Sequence, residues 1–220
     1  MDNTSKSKSY SPSDLAKQLF YTTADGSSTD PDTAIAEALD GAWAHLEPQA
    51  AALLADKHAG AYDRYLALSA LSSWASPIGY AGVRDAAQDP DAQPWRGMSI
   101  DRFFSLDNTF AMLAQSVLGS VDEARERGTA AERFAALEAL VGIVDRVYFE
   151  HYLSASGLYS EDIVRLRGPI EAAVERGLAK LAAAEVVLPG FVRGQVEELI
   201  DALERVDKSV ADAYRARLSD

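Results

Sequence analysis

Cysteine is missing from all 220 residues. Its absence excludes disulfides, thiolate nucleophiles and cysteine-based zinc sites. Histidine is scarce: the chain has three, His45, His58 and His151. None follows a glutamate at the Glu-x-x-His spacing that di-iron carboxylate bundles need, so no metal site is expected. Basic residues are in deficit, 21 Lys+Arg against 34 Asp+Glu, a formal net charge of −13. Phosphate backbones and anionic lipid surfaces are bound through clustered cations. Here the densest group, Arg125, Arg127 and Arg133, is interleaved with Asp122, Glu123, Glu126 and Glu132. That is the pattern of a solvated helix face, so neither nucleic acid nor a membrane is expected as a partner. No stretch approaches the roughly 18 apolar residues of a membrane helix. The first residues, MDNTSKSKSYSPSD, have lysines but no apolar run behind them, so the cytoplasm is the expected location. A glycine-rich phosphate loop, a G-x-G-x-x-G turn, an H-E-x-x-H pair and a nucleophile elbow are all lacking.

What remains is helical. The composition, 48% hydrophobic and 25% charged, is that of a globular chain with a sizeable core. Its abundant alanine and acidity fit a bacterial source. Residues 1–10 are polar and aperiodic and read as a disordered tail; residues 11–220 read as one all-helical domain. Ser13-Asp14 and Asp30-Pro31 mark helix starts. Apolar stripes follow at steps of three and four: Ile35, Leu39, Trp43 and Leu46, then Tyr62 to Trp74. Ser99 is expected to open a helix carrying Ile100, Phe103, Phe104 and Phe110. The longest stripe runs from Phe134 through Leu140, Val144 and Tyr148 to Tyr152, predicting one central helix over Thr129–Ser156 that ends at Gly157. Gly168-Pro169 is expected to restart the chain, and Val186 to Gly190 to act as a connector. No alternating strand pattern of useful length occurs. The expected fold is an all-α bundle of seven to nine helices with one long Pro/Gly-rich loop, residues 76–98.

Two clusters are candidates for function. The loop 76–98 carries Tyr80, Arg84, Trp95 and Arg96, an aromatic and cationic mix enriched at interfaces; the same residues also read as a loop that packs its own tryptophan over the bundle. The second cluster is Tyr148-Phe149-Glu150-His151-Tyr152. His151 there reads either as a core histidine or as part of a pocket with Phe103, Phe104, Tyr148 and Tyr152.

Leu137 to Leu153, LEALVGIVDRVYFEHYL, resembles the C-terminal helical half of the acyl-CoA oxidase and acyl-CoA dehydrogenase family. There a leucine-rich helix leads to an aromatic–Leu–Glu–His–Gly stretch. Phe149, Glu150 and His151 match it loosely; Tyr152 stands where the family has glycine, and the aromatic directly precedes the glutamate. Trp43 to Leu68 and Leu203 to Leu218 are similar to an earlier helix and the final segment, extending the likeness from about residue 15 to the end. The resemblance implies FAD and acyl-CoA bound largely by other domains, and a catalytic glutamate in a segment this chain lacks. It therefore implies a non-catalytic helical subunit of a heteromeric flavoenzyme, with no cofactor on this chain and FAD on a partner chain. Two other classes stay open. One is an autonomous acidic binding protein, immunity-type or regulatory, that engages a protein partner. The other is a helical sensor with a small-molecule pocket. A protein partner, as hetero- or homo-oligomer, is the expected assembly.

Overall fold

The computed structural model describes residues 11–41, 43–101, 103–184 and 189–219. The expected tail 1–10 and Val186 to Leu188 of the expected connector lie outside the described residues. Among those described, the chain is all-α, with eleven α-helices, a 3-10 turn at Pro90–Ala92 and a hairpin of two-residue strands. No described helix is long and apolar enough to cross a membrane.

The early starts follow their capping residues. Ser13 Oγ accepts from the Ala16 amide at 3.2 Å and opens α1 (Asp14–Phe20). Asp30 accepts from the Thr33 amide at 3.0 Å ahead of α2 (Pro31–Ala38), whose first residue is the proline. Next come α3 (Trp43–Ala55) and α4 (Ala61–Ser73). Tyr65, Leu66, Ala67, Leu68, Ala70 and Leu71 of α4 are all buried. A helix apolar on nearly every side is a core helix, and α4 packs against α1, α2 and α3 as well as two later helices.

Residues 77–88, expected to be loop, form α5 (Pro77–Gln88). Ser76 caps it through the Ile78 amide at 3.3 Å, and Pro77 occupies the first turn, where its missing N–H costs nothing. Its glycines are contact residues. A Cβ on Gly79 would lie 2.5 Å from the Leu71 carbonyl carbon and the Ser72 nitrogen, and one on Gly82 would lie 2.7 Å from Leu68 Cδ1. They let α5 cross α4 at close range.

The expected helix at Ser99 is instead a hairpin, β1 (Ile100–Asp101) against β2 (Leu106–Asp107), followed by α6 (Thr109–Gly119). After α7 (Val121–Glu126) the long central helix is cut short: α8 (Ala130–Val141) stops at Gly142, and residues 142–158 continue as turns. The apolar spacing persists beyond Gly142 because Ile143, Val144, Val147 and Phe149 all reach the core from those turns. α9 (Ser160–Ala182) runs through Pro169 without the expected restart. α10 (Pro189–Glu204) packs on α9, and α11 (Lys208–Ser219) packs on α10 and α9. One hydrophobic cluster extends from Ala16 to Leu218.

Candidate functional site

The aromatic side chains that cluster in the core also position a surface region that combines exposed rings with carboxylates. Trp95 lies 5.2 Å from Phe110 and 6.1 Å from Tyr65, ring centre to ring centre, and Phe110 meets Phe149 edge-on at 6.5 Å. Phe149 is buried and its amide donates to Gln195 Oε1 at 2.7 Å, while Gln195 Nε2 donates to the Val147 carbonyl at 3.0 Å. The turn 147–151 is thereby pinned to α10 by a satisfied buried amide. With Phe149 facing inward, Tyr148, Glu150 and His151 are turned toward the surface.

The hairpin forms the opposite wall. Ile100 pairs with Asp107 and Asp101 with Leu106. Asp101 Oδ1 accepts from the Phe103 amide at 2.8 Å, and Oδ2 accepts from the Tyr148 hydroxyl at 3.3 Å. One carboxylate thus shapes the hairpin tip and ties it to the 147–151 turn. Phe103 is 95% exposed and Phe104 69%.

Between these walls lies a cleft of about 360 Å³ lined by Phe104, Leu106, Tyr148, Glu150, His151 and Glu198, among others. Of the expected pocket residues, Phe104, Tyr148 and His151 line it. Phe103 stands beside it at the hairpin tip, and Tyr152 packs against the core instead. Phe191 and Glu198 were not foreseen. Both lie off the buried face of α10, and nothing along the sequence of that helix tells what stands across from them.

The interface expected in loop 76–98 does not assemble. Tyr80 is fully buried on α5 with its hydroxyl 2.7 Å from Ser120 Oγ, and Trp95 is 2% exposed. Arg96 is engaged by Asp107 and lies over the Phe110 ring at 5.8 Å, leaving only Arg84 exposed. Bulky aromatics on a Pro/Gly-rich stretch resemble interface anchors, yet here the segment folds down on its own core.

Electrostatics distinguish the cleft. Tyr148 is pushed up to about 12, first by burial and then by the charge of Asp101 beside it. It therefore stays a protonated donor and does not act as a base near neutrality. Glu198 contacts His151 Nδ1 through Oε1, and burial pushes its carboxyl above the usual glutamate range although the His151 contact opposes this. Glu150 adopts φ +49°, a left-handed conformation unusual for a side-chain-bearing residue, and accepts from Asn108 Nδ2 at 2.5 Å. The Asn108 amide thereby ties the carboxylate to the residue that precedes α6. Among the described residues, no cluster suited to a metal ion is present. The arrangement offers aromatic faces and negative charge, chemistry suited to recognition.

Because burial favours its neutral form, Glu198 holds its proton more tightly in the folded chain than in the unfolded one. Its contribution to stability is complete below the ordinary glutamate pKa and is lost as pH rises through the raised folded value. Glu198→Gln is accordingly expected to melt higher than the wild type at pH 8 and alongside it at pH 4. Equal offsets at both pH values would show that burial does not penalise this carboxylate.

Comparison with protein-family models, curated proteins and solved structures finds no match. The reading of the site rests on its geometry.

Proposed function

We propose that this chain is a non-catalytic helical binding protein that engages a basic protein partner through the hairpin tip and the cleft beside it. The observation that carries this reading is the pair Phe103 and Phe104, 95% and 69% exposed, at the mouth of a cleft lined by Glu150 and Glu198. Two adjacent phenylalanines leave a large apolar area in water, and such area set among polar groups is a mark of interaction surfaces. The overall charge of −13 selects the sign of the partner and speeds its approach. It also opposes pairing with a second, equally acidic copy.

The reading as a subunit of an acyl-CoA oxidase-like flavoenzyme draws on a helix through Leu137–Leu153, whereas helix α8 ends at Val141. The binding-protein reading is therefore preferred; a flavin-bearing chain recovered as the partner would restore the other.

The test is affinity capture from lysate of the producing cell, with wild type and a Phe103→Ser/Phe104→Ser variant compared. The expected result is one basic protein, retained in near-stoichiometric amount by the wild type and at least tenfold less by the variant. The variant's melting temperature should be unchanged, since both rings are solvent-exposed. Undiminished capture by the variant would contradict the proposed surface.

A further inference from the structure

The cleft has a more specific chemistry than its position at a docking surface requires. Its walls include Phe104, Leu106, Tyr148 and Phe191, with Glu150 and Glu198 among them, and no lysine or arginine lines it among the described residues. The only cation on α10, Arg193, is directed away, donating to the Leu218 carbonyl at 2.7 Å. Tyr148 and Phe191 are in ring contact, 5.2 Å between centres and 60° apart. The Tyr148 hydroxyl is fixed by Asp101, so this pair presents its faces in a set orientation.

We propose that the cleft is a receptor for a single guanidinium group, the side chain of an arginine presented by the partner protein. This rests on the binding-protein reading and names the chemistry its cleft would recognise. Guanidinium is planar, stacks on aromatic faces and offers N–H groups to carboxylates on its edge, so it suits walls of rings and carboxylates better than an ammonium does. A carboxylate has about four acceptor positions. Glu150 uses one on Asn108, and Glu198 uses one on His151. Both therefore keep acceptor capacity for further donors. Leu106 and Phe104 provide apolar surface for the methylene stem of the incoming side chain. A volume of about 360 Å³ is at the small end for a ligand site, which fits one side chain and not an extended ligand. The exposed ring of Phe103, next to Phe104 but not lining the cleft, gives the rest of the partner somewhere to dock; this favours a protein-borne arginine over a free cation. Both carboxylates are held in place, Glu150 by Asn108 and Glu198, half-buried, by His151.

The test uses amide-resolved NMR of the full chain, with Gly190 and Gly194, which line the cleft, as reporters. The probes are n-butylguanidinium, n-butylammonium, tetramethylammonium and uncharged n-pentanol. Saturable shifts of both reporters are expected with n-butylguanidinium, at an affinity at least fivefold above n-butylammonium and n-pentanol. Glu150→Gln and Glu198→Gln should each weaken that binding at least threefold with the remaining spectrum preserved, and Phe103→Ser should leave it intact. Equal binding of n-pentanol would overturn the proposal in favour of a plain apolar groove. Tightest binding of tetramethylammonium would overturn it in favour of a free quaternary ammonium ligand, and absence of saturable shifts would overturn it outright. The two readings fail separately. A captured partner with no probe binding overturns the guanidinium receptor alone. Probe binding with no captured partner overturns the protein as its source, and the docking surface with it.

Discussion

Replacing Asp162 by alanine is expected to cost the fold about 3–5 kcal/mol, because it strands a buried positive charge. Arg133 on α8 and Asp162 in the first turn of α9 are 4% and 2% exposed. They meet through two hydrogen bonds, Nη1 to Oδ1 at 3.2 Å and Nη2 to Oδ2 at 3.0 Å. The guanidinium also donates from Nε to the Val117 carbonyl at 2.9 Å and lies near the Tyr159 ring. These contacts join α8, the end of α6 and the start of α9. Without Asp162, the carbonyls and ring that remain do not neutralise the charge. Removing both charges has a different outcome. Arg133→Met with Asp162→Leu keeps most of the volume and is expected to recover the larger part of the loss, since apolar replacements of buried pairs are often neutral or stabilising. Urea denaturation of the two variants measures both effects. A loss below about 1 kcal/mol for Asp162→Ala would mean that water reaches Arg133.

Trp95→Ala is expected to be similarly severe, at about 3–5 kcal/mol, the range for large aromatic truncations in a core. For a chain of this size each kcal/mol moves the melting temperature by roughly 2–4 °C, so a fall on the order of 10 °C follows. The indole is 2% exposed and stands between Tyr65 and Phe110. Its removal opens a void between α4 and α6 and withdraws support from Phe110, which in turn meets Phe149 behind the cleft. From the sequence, this tryptophan is an interface candidate whose loss weakens binding and hardly changes stability. The structure selects the other reading, a segment that packs its own tryptophan, and a thermal melt tests it. A melting temperature within about 2 °C of wild type would contradict the core placement.

The class of fold was legible because helical periodicity is strong where the helices are amphipathic. Ile35, Leu39 and the run from Tyr62 to Trp74 lie where their spacing puts them, and Ser13 and Asp30 cap as their chemistry suggests. The departures share a cause. Gly79 and Gly82 look like breakers, yet each is small because α4 passes within van der Waals reach. Sequence alone does not distinguish a glycine kept for close packing from one kept for a turn. Gly142 errs in the other direction: it ends α8, while Ile143, Val144 and Val147 continue the apolar rhythm from turns. The eleven helices exceed the expected seven to nine for related reasons: a Pro/Gly-rich stretch forms α5, and breaks subdivide other runs. At the site, Tyr148 and His151 were legible as an aromatic and titratable cluster. Their partners Asp101 and Glu198 were not, because each lies about 47 residues away along the chain. By spacing alone Phe103 and Phe104 read as part of a helical face. Asp101, by accepting the amides that follow it, turns the chain into a hairpin and puts both rings in solvent.

The measurement that bears most directly on the binding-protein reading is site-specific photo-crosslinking. A benzoylphenylalanine at position 103, on the hairpin tip, is compared with one at position 164, where Val164 is 62% exposed on α9. Both are irradiated in lysate of the producing cell. The expected result is a single basic protein joined at position 103, absent at position 164, and reduced when Glu150 and Glu198 are changed to glutamine. Identical products from both positions, or a product at position 103 that is only a second copy of this chain, would contradict it.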